Sequence, residues 1–365
     1  MSLSQLLKTV AQAPGALELT GAPEGFDALV MSDICRARGG LTVFVARDGS
    51  RAQAFAEAMV FFAPELEVLH FPAWDCLPYD RVGPSAGCAA ERMAVLSRLA
   101  RGPAFEKPTL LVTTAAALMQ RVPPREAVTG AAWSTRVGAV VDLAELERYL
   151  AINGYQRAST VSERGEFAIR GGVIDVFPPG ADEPVRLDLF GDTLESIRGF
   201  DRETQRSTRQ MQAVDLLPVS EVLLDASSVA RFRTGYLSAF GAAGDDPLYE
   251  AVSDGGRRAG MEHWLPLFYS HLETLFDYLP DRTLAALDHL AREARDERLA
   301  TIADAYEARA RADRSAHYRA LPPSSLYLDT GEWSARLGER ASRQFEPLQR
   351  AAGEGVVDLG AKLGR

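Results

Sequence analysis

The segment LELTGAPEGFDALV, residues 17–30, reads as a strand, a turn and a helix, the pattern on which α/β nucleotide-binding proteins carry their phosphate loop. A working loop has the form GxxxxGK[ST]: glycines let the backbone approach the phosphates, the lysine meets their charge, and the hydroxyl holds Mg²⁺. Gly21 and Gly25 are present here, but Phe26 and Asp27 stand where the lysine and the hydroxyl are needed. No lysine occurs between Lys8 and Lys107, and only three of the 40 basic residues are lysine. A carboxylate at position 27 would also repel a phosphate. Gly21, Gly25, Phe26 and Asp27 therefore read as a degenerate, non-functional nucleotide loop, a tight turn feeding a helix.

Other chemistry is no better supported. His70, His263, His271, His289 and His317 form no HExxH motif and no His/Cys cluster, and Cys35, Cys76 and Cys88 have no CxxC spacing. His263 and His271 flank the apolar stretch Trp264–Phe268 and read as packed or solvated. No nucleophile elbow is assigned, and the acid pairs Asp182-Glu183 and Asp296-Glu297 read as solvated faces. No catalytic residue, metal ligand or cofactor is assigned to this chain.

The segment EFAIRGGVIDVFPPGADEPVRLDLF, residues 166–190, carries more. Strand alternation over Val185–Phe190 puts Val185, Leu187 and Leu189 on one face and Arg186, Asp188 and Phe190 on the other. Arg186 and Phe190 are then roughly 13 Å apart along the strand. In the preceding strand Phe167 and Ile169 point one way and Ala168 and Arg170 the other, and the inward phase jumps by one residue across Gly171-Gly172. Such a jump predicts a β-bulge. If the strands are neighbours, Arg170, Arg186 and Phe190 share one exposed face, the composition of an interface anchor. The competing reading is that Asp188 pairs with one of the arginines and Phe190 is an isolated exposed ring.

The elements that must position these residues fall into three textures. Residues 1–125 alternate buried-strand patterns (Leu41–Ala46, Thr109–Thr114) with helical ones (Phe26–Arg38, Ser50–Phe62, Ala89–Leu99), as an α/β layer fold does. From about Ala132 to Leu216 one helix, Asp142–Ile152, precedes closely spaced strands at 167–169, 173–177, 185–190 and 194–200, which predict an antiparallel α+β domain. Beyond Pro218 the pattern is helical, with a charged helix over Leu284–Ala312, and the last thirty residues show no compact pattern.

The chain has 365 residues with a net charge of −10, against a basic nucleic-acid-coating footprint. Between Val161 and Arg209, seven arginines face ten acids, so local nucleic-acid binding is disfavoured too. The longest run without a charge or histidine is the 13 residues Pro108–Gln120, short of a membrane span. With no secretory leader and no disulfide framework, the expected setting is a reducing cytoplasm.

Three separated motifs make the sequence familiar: Glu166–Asp201, FPAWDCLPYD at 71–80 and GMEHWLPLFYSHLETLFDYLP at 260–280. Together they resemble the bacterial transcription-repair coupling factors (the Mfd family), over nearly the whole chain and in the family's N-terminal third. That third is similar to the nucleotide-excision-repair protein UvrB. The resemblance implies a multidomain α/β fold, a parallel-sheet domain with a smaller α+β domain inserted and a helical 1b-like region. Its parts would be a UvrB domain 1a-like unit at 1–131, a domain 2-like UvrA-docking unit at 132–214, a 1b-like region at 215–335 and a tail at 336–365. The family's polymerase-binding domain, ATP- and Mg-dependent translocase motor and autoinhibitory domain would lie beyond Arg365. RNA polymerase and DNA would then be reached only through absent domains, and this chain, a monomer and not itself an enzyme, would be one piece of a longer protein. The family's UvrA-contacting positions, two arginines and an aromatic, match Arg170, Arg186 and Phe190. Pro72–Cys88 is too short for the DNA-clamping hairpin of UvrB. The resemblance thus implies a UvrA-recruiting module in transcription-coupled repair, with Arg186→Glu and Phe190→Ala abolishing UvrA capture and leaving the fold intact. An active UvrB-type helicase subunit and a purely structural, autoinhibitory module are the alternatives.

Overall fold

Strand β1 (Ala16–Thr20) and helix α2 (Phe26–Arg38) follow helix α1 (Leu3–Gln12), and β2 (Leu41–Ala46), α3 (Gly49–Phe62), β3 (Glu67–Phe71), α4 (Ala86–Ala100) and β4 (Thr109–Thr114) continue the alternation. The computed structural model describes residues 2–102, 105–311 and 318–361; His317 and Ala312 lie outside them. Every residue of β2 and β4 is buried, because helices cover both faces of the sheet they form. Helix starts are capped locally: Asp48 accepts from the Arg51 amide and Ser85 from the Cys88 amide.

Short strands β5 (Arg121–Val122) and β6 (Trp133–Arg136) lead into a second sheet of β7 (Gln156–Arg157), β8 (Glu166–Arg170), β9 (Val173–Val176), β10 (Val185–Phe190), β11 (Thr193–Phe200) and β12 (Ser207–Met211). The order is β12-β11-β10-β9-β8-β7, antiparallel except where β7 meets β8. One face buries Ile174, Val176, Val185, Leu187, Leu194 and Ile197 with Leu146 and Leu150 of the helix Leu143–Ile152. The chain leaves through β13 (Ala213–Leu216), which pairs with β6, so entry and exit are tied together at the base of this unit.

Three further strands return to the first sheet. After β14 (Glu273–Thr274), which pairs with β5, come β15 (Leu284–Leu287), β16 (Ser342–Phe345) and β17 (Val356–Asp358). The completed sheet has seven parallel strands in the order β17-β1-β16-β15-β2-β4-β3. The architecture is therefore a multidomain α/β module: a large parallel sheet with a smaller α+β unit inserted in its connections.

Two expectations are corrected here. The charged helix begins at Ala291, because Leu284-Ala-Ala-Leu287 is a fully buried strand between β2 and β16. Residues 336–365 are not a tail within the described range, since β16 and β17 flank β1 on either side. Among the described residues no helix is long and apolar enough to cross a membrane.

His263 lies in the main core, 2% exposed, with its ring 5.6 Å from Trp74 and 6.4 Å from Tyr79. Its Nε2 is 3.2 Å from the Val82 carbonyl, the geometry of a neutral ring donating from Nε2. Burial pushes its pKa down to about 4. In the unfolded chain the ring titrates near 6.5 (~6.5), so acid protonates the unfolded state first. Stability is expected to fall as pH drops from about 6.5 to about 4, by roughly 2–3 kcal/mol. Urea midpoints across that window should show the decline, and His263→Gln should flatten it.

Candidate functional site

The degenerate loop is closed by the chain's own groups. Gly21 has φ +63°, and a Cβ there would meet the Asp358 carboxylate at 2.8 Å, so β17 can pass only against glycine. The Gly21 amide donates to the Leu348 carbonyl and the Ala22 amide to the Glu346 carbonyl, each at 3.0 Å. At the start of α2, Asp27 Oδ1 accepts from the amides of Gly25 (2.9 Å) and Ala28 (2.7 Å). A side-chain carboxylate thus sits at the helix N-terminus where a phosphate would sit.

Asp27 is 1% exposed, and its Oδ2 accepts from Arg51 of α3. Arg51 also reaches Asp288, just past β15, at 3.2 Å, and Asp288 accepts from Arg47 at 3.0 Å. Burial pushes the Asp27 carboxyl up to about 6, against the pull of Arg51 and of the Ala28 amide. The start of α2 is filled from within, by a carboxylate bonded to a buried arginine.

The second candidate is the solvent face of the six-stranded sheet. Arg170 pairs in register with Val173 and Val173 with Asp188, while Asp175 lies opposite Arg186. The phase jump at Gly171-Gly172 is not a bulge but a two-residue hairpin loop joining β8 to β9. Gly171 has φ +62°, and a Cβ on residue 172 would strike the Leu189 carbonyl at 2.6 Å. Pairing across that loop puts Arg170 on the face of Asp175, Arg186 and Phe190. The true register break lies between β10 and β11, past Asp188.

The three predicted residues share this face but differ in freedom. Phe190 is 74% exposed, at the mouth of the β10–β11 hairpin. Arg186 is half-buried: Nε and Nη2 donate to the two oxygens of Asp175 at 2.6 and 2.9 Å, and its guanidinium lies 4.8 Å from the Phe200 ring centre. That hydrogen bonding holds its pKa above the ordinary arginine value. Arg170 is largely exposed, with Nη1 3.6 Å from the same Asp175. Asp188 does pair with an arginine, Arg198 rather than Arg170 or Arg186, and accepts from Ser196 at 2.6 Å. By register, Phe190 lies about 7 Å along and about 10 Å across from Arg170.

Asp175 was not singled out from sequence, although IDV between two strand-phase apolar residues marks an acid on the polar face. Its burial (1% exposed) under two arginines could not be read without the pairing. Elsewhere, His70 faces Glu91 at 2.9 Å and His289 faces Asp288 at 3.5 Å. Among the described residues no group of three or more His, Cys, Asp or Glu is placed to hold a metal.

Comparison with known proteins bears on this unit first. A family model described as the UvrB interaction domain matches residues 134–222. Over longer stretches the chain is similar to transcription-repair-coupling factors. It is 32% identical to that of Haemophilus influenzae over 315 residues, 86% of this chain and 27% of the relative. It is 34% identical to that of Escherichia coli over 269 residues (73% and 23%) and 38% identical to that of Myxococcus xanthus over 254 (66% and 21%). The chain spans about a quarter of the length of the curated relatives it matches.

The loop network makes a stability prediction. Arg51→Met leaves the buried Asp27 and Asp288 carboxylates facing each other's field and should cost about 3–5 kcal/mol. Asp27→Asn keeps an acceptor for the Gly25 and Ala28 amides and leaves Arg51 paired with Asp288, so it should cost less, about 1–2 kcal/mol. Chemical denaturation at neutral pH measures both, and the order of the two losses is the check.

Proposed function

Because the chain belongs to the transcription-repair-coupling factor family, as its UvrB-like N-terminal region, we propose that the β7–β12 unit is the platform on which this protein recruits UvrA during transcription-coupled repair. The carrying observation is that Arg170, Arg186 and Phe190 lie on one solvent face, inside the stretch that matches the UvrB interaction domain. The chain as a whole is acidic, at −10, yet this face sets Arg170, Arg186 and Arg198 against Asp175 and Asp188. A partner presenting carboxylates and an apolar notch meets both halves of it: charge-assisted forks for the guanidiniums and a pocket for the ring.

In this reading the chain has a binding role and no catalytic one. The translocase of the parent protein, and its dealings with RNA polymerase and DNA, belong to segments outside residues 1–365. The internal partners of Gly21, Ala22, Gly25 and Ala28 argue against a helicase role for the first sheet, since those amides are what a nucleotide would need.

Calorimetric titration with purified UvrA tests the proposal. Phe190→Ala should weaken binding about 30-fold, the effect of losing one well-packed anchor worth ~2 kcal/mol. Arg170→Ala should weaken it about tenfold. Phe190→Ala should leave the melting temperature unchanged, because the ring is exposed, whereas Arg170→Ala should lower it slightly, since it removes a partner of buried Asp175 and of the Ser159 carbonyl. Arg186→Glu does not meet the expectation of an intact fold, since it removes the partner of buried Asp175 and places a second carboxylate beside it. Unchanged affinity in Phe190→Ala and Arg170→Ala would overturn the proposal. A parallel titration with Mg-ATP should give no binding heat.

A further inference from the structure

The register around Phe190 extends the docking face beyond the residues so far named. Phe190 lies opposite Thr193, and Thr193 lies opposite Val140 in an antiparallel bridge from the other side. Directly opposed residues in antiparallel pairing project from the same face. Phe190, Thr193 and Val140 therefore form one row across the tip of the sheet, at spacings of about 5 Å. The next residue on each strand, Leu194 and Val141, points into the core.

Val140 is 71% exposed and Phe190 is 74% exposed, two of the most open large apolar side chains among the described residues. Val140 is held there by its neighbours: the Val141 amide donates to Asp192 O at 2.8 Å, and the Leu194 amide to Ala139 O at 2.9 Å. The row is thus a rigid apolar ridge rather than a loose loop tip. Beside it an open hollow of about 710 Å³ runs over β11, its lining including Val137, Asp188, Thr193, Glu195, Arg198 and Gln210. Ridge and hollow are continuous with the face that holds Arg170 and Arg186.

We propose that Val140 is a second apolar anchor of the docking face, so that the partner lays one apolar side chain across Thr193 between Phe190 and Val140. Its carboxylates then reach the arginines on the β8–β10 side. The occupant is a protein surface with an apolar side chain flanked by acids, matched by Phe190 and Val140 on the ridge and by Arg170 and Arg186 on the β8–β10 side. The inference rests on the proposed recruitment of UvrA.

Titration of purified UvrA against the whole chain and five variants, Phe190→Ala among them, decides it. Val140→Ser should weaken binding about fivefold and Val140→Asp more than tenfold, because the latter adds repulsion to the lost contact. The combination Val140→Ser with Phe190→Ala should lose less than the product of the two, since both touch one partner side chain. Phe61→Ser, at a 79% exposed site on α3, is the control and should bind as the parent chain does. Thermal melts should be unchanged for the Val140 variants. If they bind normally while Phe190→Ala is weakened, this inference fails and the recruitment reading stands. If Phe190→Ala also binds normally, the recruitment reading fails with it.

Discussion

The structure depends on β1 being held between two strands from the other end of the chain. β16 pairs with it over Ala16–Leu19 and β17 over Glu18–Thr20, both parallel. Parallel neighbours need crossovers, not hairpins, so the chain between β1 and β16 must pack against the sheet or leave it. It does both, and the β7–β12 unit is the part that leaves. Arg343 of β16, fully buried, secures the arrangement by donating to the carbonyls of Val10, Gly15 and Ser342 at 2.6–2.9 Å. The Val10 and Gly15 carbonyls belong to the end of α1 and the turn into β1, so one guanidinium stitches the first fifteen residues to the last strands. Burial lowers its pKa to about 10, leaving it charged at any physiological pH.

A smaller version of the same logic organises the docking face. Asp175 is almost wholly buried and collects both Arg186 and Arg170. A carboxylate in that position must be paired, and the pairing fixes where the arginines can be. Arg186 gives up mobility, so its free edge is presented already oriented. Phe190 needs no such support, because the hairpin and its cross-strand neighbour define its direction. The face therefore combines a pre-set cation, a freer one and a rigid ring.

How much of this was legible in the sequence follows from what each element needs. β2 and β4 were plain, being six-residue apolar and β-branched runs. The β10 alternation gave the right face for Arg186 and Phe190, since period two survives whatever the neighbours are. β15 was hidden because LAAL has no β-branched residue and runs straight into a strongly helical segment; only its two flanking strands make it a strand. β16 (SRQF) and β17 (VVD) are short and owe their form to β1, more than 300 positions away in sequence. The Gly171-Gly172 phase change was visible, but a bulge and a two-residue hairpin produce the same shift, and only the pairing separates them. Likewise Asp27 announced a broken phosphate loop, while its partner Arg51 lies in another element and Asp288 beyond a third.

The filled loop has a consequence for how the docking face can be controlled. A ligand moves a conformational equilibrium only by binding one state better than another. Here the negative charge at the start of α2 is part of the chain, and the Gly21 and Ala22 amides are bonded to the backbone that leads into β17. If, as proposed, the first sheet binds no nucleotide, it acts as a fixed scaffold, and the inserted unit inherits no nucleotide-dependent state from it. Under the proposed recruitment role, control over partner access would then act at the face itself, by something that covers or uncovers Arg170, Arg186 and Phe190. The properties that suit them to a partner, exposure of the ring and orientation of the guanidiniums, also suit them to being masked by any acidic surface of the right shape.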